Sequence, residues 1–499
     1  RAEGGQPPCP RCCGASSIIR PEHEHSAAIA GVRAGADERG RAVVDMAERS
    51  RVERWLSDND IETIRIGATD IDGLLRGKRL PVDYFLDSVW SKGSNICDIL
   101  FGWDVADEPM PELTFTGLHT GYPDVTLLPD LSTIRTAPWE PGSATVICDI
   151  VHLDGRAVPI SPRQVLRDVI GRAQAAGFNP VAAYEFEFFV FAESPAELAA
   201  RSWRDARPLT DGSRTYSIQR GAVTEFLLGE IRQSLRRCGI FIEASNSEHG
   251  PGQFEVNIHY ADALDAADQA VILKHAVKEI AARHGHTATF MAKVRPEWAG
   301  SSGHLHQSLA TMGGDSAFAN PADPTRLSEI GQHYIGGLLE LIGPLTAVLC
   351  PTINSYKRTE GGSWAGASAT WGTDNRTVAV RAIPAAGPAA RVENRVPGAD
   401  ANPYLVIAAN VAAGLHGVTQ GITPPAPVVG NAYAAPADIA PLLPRSLHEA
   451  NEVFRSSATT RAILGDAFVD HFAQTRDWEI AQFGKAVTDW ETARYMEMI

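Results

Sequence analysis

Four short stretches of this chain place acids, histidines or arginines at every second position, and that spacing is where chemistry could be done. In residues 183–191, Glu185 and Glu187 alternate with Tyr184, Phe186, Phe188 and Val190. A strand sends successive side chains to opposite faces, so the two carboxylates share one side and the apolar residues the other. In residues 253–260 the polar set is Gln253, Glu255, Asn257 and His259, in residues 303–309 it is His304, His306 and Ser308, and in residues 391–395 it is Arg391, Glu393 and Arg395. Neighbouring carboxylates on an otherwise apolar strand repel one another and lose solvation unless a cation lies between them. Any one of these acids or arginines alone reads equally well as a salt-bridge or surface residue. Their recurrence in matching phase on four strands points to one polar site.

The inward ligands are Glu185, Glu187, Glu248, Glu255, Glu393 and His304. Five carboxylates with one imidazole suit a hard divalent ion, Mg2+ or Mn2+, better than zinc, and six protein ligands are enough for two or more ions. Downstream, residues 354–366 form a Gly-rich loop after the basic pair Lys357-Arg358, and Asn375-Arg376, Arg381, Arg391 and Arg395 follow. The arginine fork matches phosphate and carboxylate. Metals with arginines are the equipment of phosphoryl transfer from a nucleotide. There is no Gly-x-x-x-x-Gly-Lys-Ser/Thr loop, which excludes a P-loop enzyme, and Asn375-Arg376 also reads as a simple turn.

Elements that could hold these groups are legible around them. A helix is expected from Asp45 to Asp58, then strands over 61–70 and 74–81 joined at Asp72-Gly73, and further strands at 125–129 and 144–149. The segment 98–122, with Trp103, Asp104, Asp107 and His119, is long and irregular, a length usually functional or disordered. Ser161, Pro162 and Gly177 mark the start and stop of an amphipathic helix. Further helices are expected at 221–237, 262–284, 325–343 and 402–416, with strand and helix alternating to the C-terminus. The apolar run 334–350 is broken by Glu340 and Pro344 and reads as a buried helix pair rather than a membrane span.

The 499 residues suffice for two domains or more, and 44% hydrophobic with 21% charged residues is an ordinary globular composition. A net charge of -15 argues against a nucleic-acid partner. Residues 1–45 lack periodicity and read as a disordered extension without an apolar secretory core. Its Cys9-x-x-Cys12-Cys13 lacks a second ligand pair for zinc, and the seven scattered cysteines fit a reducing cytoplasm.

These residues together resemble the glutamine synthetase family, type I in layout, over about residues 50–499. The resemblance rests on Tyr184-Glu-Phe-Glu-Phe-Phe189, Glu248 and Glu255 flanking Pro251-Gly-Gln253, Gly303-His-Leu-His306, Asn354-Ser-Tyr-Lys-Arg358, Asn375-Arg376, and Arg391-Val-Glu-Asn-Arg395 followed by Ala401-Asn-Pro-Tyr404. It implies an α+β fold: a small β-grasp domain over 46–155, then a catalytic αβ barrel over 156–499. It also implies a homo-oligomer of stacked rings, with a dodecamer as one possibility and active sites between subunits. Glu187, Glu248 and Glu255 would hold one metal, and Glu185, His304 and Glu393 the other. Glu243, His306, Ser308, Arg376, Arg381 and Arg391 would bind ATP, with Arg376 stabilising the transferred phosphoryl group. Arg358, Arg395 and Gly300 would hold glutamate.

Three positions depart from the family pattern. Trp364 stands where glutamine synthetases carry a glutamate that deprotonates ammonium. The ammonium-binding aspartate segment is not recognisable near Trp103-Asp104. Ala299 replaces an asparagine that holds the amino group of glutamate. The acceptor pocket has exchanged charge for an indole, and the chain is most similar to the γ-glutamylamide ligases, with a polyamine, ethanolamine or similar amine as acceptor. Glutamine synthetase proper, and a catalytically silent structural or regulatory relative, are the other readings. Tyr433 falls where some bacterial members are adenylylated, and an ordinary surface tyrosine explains it equally well.

Overall fold

A computed structural model describes residues 46–212, 214–359 and 364–499. The expected extension 1–45 and its cysteines lie outside the described residues. Two sheets organise the rest.

The smaller sheet uses β1 (Thr63–Thr69), β2 (Leu75–Pro81), β3 (Ser94–Cys97), β4 (Asp124–Pro129), β5 (Arg135–Thr136) and β6 (Ser143–His152). Their order is β2-β1-β6-β4-β3, with β5 on β6, and β1 runs parallel to β6. Ile64, Ile66 and Ala68 alternate into a core with Val146, Phe85 and Phe101. The predicted Asp72-Gly73 turn joins β1 to β2. Gly73 takes φ +85°, which favours glycine, and a Cβ there would crowd the Asn402 backbone at 3.2 Å. Asp70 clamps the turn by accepting from the amides of Asp72 (3.1 Å) and Leu74 (2.9 Å).

The larger, barrel-like sheet contains β7 (Phe178–Phe191), β8 (Ile242–Ser247), β9 (Gln253–Ile258), β10 (Ala261–Asp262), β11 (Thr287–Thr289), β12 (Gly303–Thr311), β13 (Trp371–Thr373), β14 (Val380–Ile383) and β15 (Arg391–Asn394). The order is β13-β14-β15-β12-β7-β9-β8, with β10 and β11 both on β7. The four polar-faced strands, β15, β12, β7 and β9, are therefore consecutive neighbours. Register then sets ligand beside ligand: His304 faces Glu185, Glu187 faces Glu255, His306 faces Glu393, and Glu393 faces Arg381. Cross-strand partners have Cβ atoms only about 5 Å apart, so each row is within reach of one ion.

The opposite face of β7 buries Tyr184, Phe186, Phe188 and Val190 in one core with Val165, Leu166, Val271 and Leu405 from the helices Pro162–Ala175, Ala263–Arg283 and Pro403–Gln420. Each buried phenylalanine contributes up to about 3 kcal/mol relative to exposure. That apolar anchoring is what lets the other face carry repelling charges.

Three expectations change. Residues 334–349 belong to one helix, Glu329–Leu349, that continues through Pro344 and is capped by Cys350. Pro344 is only half-buried, and the surrounding core holds the helix on course. Strands end at Asn394, and the C-terminal part is helical: Pro403–Gln420, Leu447–Ser456, Ala458–Leu464, Asp466–Lys485 and Asp489–Tyr495. Ser161 occupies the N-cap but its hydroxyl makes no capping bond. The segment 98–122 is irregular, as expected, and is tethered by Thr116 donating to buried Asp98 at 2.7 Å, Gln474 accepting from the Thr114 amide at 2.9 Å, and Trp478 donating to Asp104 at 3.0 Å. Among the described residues no helix is long and apolar enough to cross a membrane.

Candidate active site

The concave face of the larger sheet opens into a cavity of about 790 Å3 that gathers Glu185, Glu187, Glu248, Glu255, His304 and Glu393, the whole predicted ligand set. Arg358, Arg376, Arg381, Arg395, Gly300 and Trp364 line the same cavity.

Two halves differ in charge balance. On the β7–β9 side, Glu187, Glu248 and Glu255 converge with only amide donors between them. Ser302 N–H donates to Glu187 at 2.7 Å, Asn246 to Glu248 at 2.8 Å and Asn257 to Glu255 at 3.3 Å. Burial first, then repulsion from Glu185, Glu187 and Glu248, pushes Glu255 up to about 9. Burial and Glu187 push Glu248 up to about 7. A divalent cation is the group that would relieve this clustering.

On the β12–β15 side, positive groups are at hand. His304 Nδ1 lies 3.5 Å from both Glu185 and Glu393, and His306 Nε2 lies 3.0 Å from Glu185. Arg381 donates to Glu393 at 3.0 Å, and Arg395 donates to its other oxygen. Burial opposes ionisation of Glu393, but His304 and Arg395 outweigh it and hold the carboxyl down at about 2. Glu185 is likewise held well below the usual range, because hydrogen bonding to His304 and His306 overcomes its burial. Burial, reinforced by Arg395, lowers His304 against the opposing pull of Glu185 and Glu393. The Nε2 atom of His304 is buried without a hydrogen-bond partner. Glu185, His306 and Glu393 have ligand atoms within 4.8 Å of one another, so His306 joins this half beside the expected His304. The donor sets of both halves fit divalent ions.

A second opening of about 390 Å3 on the far side of Glu185 is lined by Glu243, His306, Ser308 and Arg391, the residues expected around ATP. Arg391 donates to His306 Nδ1 at 3.1 Å, which orients that ring. Glu243 pairs with His259 at 2.5 Å, and Ser308 donates to Ala390 O at 3.1 Å. Arg381, expected there too, lies instead in the acid-lined cavity, where Asp374 and Glu393 share it.

Arg358 is buried, with its guanidinium on Val396 O (2.8 Å) and Arg395 O (3.1 Å). A Cβ on Gly300 would come within 2.5 Å of Arg358 Cγ, so this glycine is what admits the arginine. Trp364 has φ +59° and is 61% exposed, and its carbonyl accepts from Arg395 at 3.3 Å. Asn375 ties its turn to Val428 O and Gly430 O, so it acts as the turn residue while Arg376 enters the cavity. Tyr433 is 37% exposed and lines a separate cleft.

Sequence reasoning missed Thr215, Tyr216, Asn246 and His249 on the cavity wall. Asn246 sits on β8, opposite Glu255, where the strand pattern was readable. The others come from irregular segments with no periodic signal.

Residues 159–495 match the family model described as glutamine synthetase, catalytic domain. A glutamate–isopropylamine ligase of a Pseudomonas species is 49% identical over 449 residues, 90% of this chain and 98% of that protein. The γ-glutamylethanolamide synthetase GlnA4 of Streptomyces coelicolor is 36% identical over 438 residues, 88% and 93% of the two chains. Among solved structures, a GmaS complex with ADP superposes with TM-score 0.78 at 30% identity, covering 91% of this chain and 100% of that one.

Proposed function

This chain belongs to the glutamine synthetase family, and we propose that it is an ATP-dependent ligase joining the γ-carboxylate of glutamate to an amine other than ammonia. The single observation that carries the acceptor choice is Trp364 on the wall of the metal cavity, an indole where an ammonium-using site needs an anion.

A carboxylate is a poor electrophile, so the reaction runs in two steps. A γ-carboxylate oxygen of glutamate forms a bond to the γ-phosphorus of ATP as the bond to the bridging oxygen breaks, releasing ADP and leaving γ-glutamyl phosphate. The amine lone pair then bonds to the acyl carbon, the carbon–oxygen bond to phosphate breaks, and a nitrogen proton is lost as the amide forms. Arg376 is assigned to the charge on the transferred phosphoryl oxygens, where a positioned guanidinium acts most strongly. Arg358 and Arg395 are assigned to the carboxylates of glutamate, with Gly300 beside them. Glu243, His306, Ser308 and Arg391 are assigned to ATP, with Arg381 at the phosphate end.

Glu187, Glu248 and Glu255 would hold one Mg2+ or Mn2+, and Glu185, Glu393 and His304, with His306 adjacent, a second. When bound, such ions neutralise the ATP phosphates and polarise the reacting phosphorus. The smaller sheet is read as the family's β-grasp domain, within 46–155, and the oligomer as stacked rings whose active sites lie between subunits.

Phosphate release with ATP, Mg2+, glutamate and a panel of amines tests this reading. Organic amines should support turnover better than ammonium, and Trp364→Glu should move the preference towards ammonium. Turnover with ammonium alone would overturn it.

A further inference from the structure

Beside the acid-lined cavity lies another of about 1060 Å3, and the two share His249, Ala299, Gly300 and Trp364 at their junction. Gly300 has no side chain and Ala299 only a methyl, so the partition between them is thin. The chemistry changes across it. The first cavity is ringed by carboxylates, whereas the second has Ile353, Leu447, Ile480, Phe483 and Trp298 on its walls. Trp298 is held in place: its ring stacks on Phe189 at 5.5 Å, and the Arg295 guanidinium sits 4.3 Å from its centroid. This wall is preformed, which favours binding without ordering costs.

The charge of the second cavity is also opposite. Lys293, Arg295, Lys357 and Arg445 line it against one carboxylate among the described residues, Glu297. Each of these cations already has a neighbour. Lys293 donates to Trp298 O at 2.5 Å, Arg295 to Ala206 O at 2.6 Å, and Lys357 lies 5.8 Å from the Phe483 ring. What remains for a ligand is aliphatic and aromatic surface under a positive field. A second ammonium would be repelled there, while an alkyl or aryl group gains about fourfold in affinity for each buried methylene.

We propose that this second cavity holds the tail of the acceptor amine and selects monoamines with an uncharged apolar substituent over diamines and polyamines. The reacting nitrogen would lie among the carboxylates of the first cavity, with the substituent passing Ala299 and Trp364. The proposal rests on the ligase reading above.

The test uses the full chain with ATP, Mg2+ and glutamate, and compares kcat/KM for hexylamine and 1,6-diaminohexane, which differ by the terminal ammonium, with hydroxylamine as an acceptor that has no tail. Hexylamine is expected to exceed the diamine by at least about tenfold. Ile480→Asp should narrow that ratio, and Ala299→Asn, which thickens the partition, should lower hexylamine relative to hydroxylamine. A diamine used as well as hexylamine would overturn the proposal, as would a hexylamine-to-hydroxylamine ratio unmoved by both substitutions. Phosphate release with hydroxylamine but no preference among tailed amines would sink the tail site alone. No amine-dependent release at all would sink the ligase reading beneath it.

Discussion

Two clusters of acids in this molecule look alike in sequence and behave in opposite ways. Asp130, Asp149 and Asp268 meet where the smaller sheet abuts the helices of the larger unit, and Glu187, Glu248 and Glu255 meet on the concave face of the larger sheet. In the first cluster every acid has an arginine. Arg163 grips Asp268 with two nitrogens at 3.0 and 2.8 Å and also reaches Asp130 at 2.9 Å and Asp149, while Arg167 adds a bond to Asp130 at 2.8 Å and one to Asp149 at 3.0 Å. Burial alone would raise Asp130, yet Arg163 overrides it and the carboxyl is lowered. In the second cluster no cationic side chain among the described residues pairs with an acid, and Glu255 rises to about 9. Acid content does not separate structure from function; what separates them is whether the protein supplies the countercharge or leaves it to a ligand.

The contrast can be broken by substitution. Glu255→Gln removes one metal-ligand charge at nearly constant shape and should lower phosphate release by about 10³-fold, while the melting temperature of the metal-free protein should rise only above about pH 9, where Glu255 is ionised and its repulsion is relieved. Near-normal activity in this variant would remove Glu255 from the metal site. Asp268→Ala should do the reverse at a site outside the cavity, costing about 3 to 5 kcal/mol of stability by stranding buried Arg163. Denaturant unfolding checks this, and a loss below 1 kcal/mol would mean that Asp130 and Asp149 alone satisfy the arginine.

A gentler probe is pH. Glu248 and Glu255 have folded values of about 7 and 9, above the ordinary 4.5, so the metal-free folded state binds more protons than the unfolded one. Their contribution to stability is complete below about pH 4.5 and is lost as pH rises through 7 and then 9. With a chelator present, thermal stability should fall across that window, and added Mg2+ should restore most at the alkaline end. A pH-independent effect of Mg2+ would contradict the uncompensated cluster.

Much of this contrast was legible in the sequence because strand periodicity is local. The alternation around Glu185 and Glu187 fixes which side chains share a face, and the four matching phases survive in β7, β9, β12 and β15. What was not legible depends on distant packing. The neighbouring order of those strands, the entry of Arg376 beside a structural Asn375, and the placing of Arg381 on Glu393 come from register and turns. His306 could not be ranked against His304 as a ligand, because both lie on one face and only the third dimension brings His306 to Glu185 and Glu393. The helix 447–456 carried a readable cap, Ser446 accepting from the Glu449 amide at 3.1 Å, but the expected alternation of strand and helix obscured it. The Glu329–Leu349 helix passed its internal proline because a well-packed core outweighs that local penalty. The apolar cavity behind Ala299 had no sequence signature, since its walls come from segments as distant as Met291 and Phe483.

The most direct test of the account follows one oxygen atom. Glutamate labelled with 18O in its γ-carboxylate, turned over with ATP, Mg2+ and an accepted amine, should yield phosphate carrying one 18O per molecule, because the acyl oxygen leaves with the phosphoryl group. Unlabelled phosphate formed alongside ADP would mean that the cavity hydrolyses ATP without activating glutamate, and would contradict the ligase mechanism.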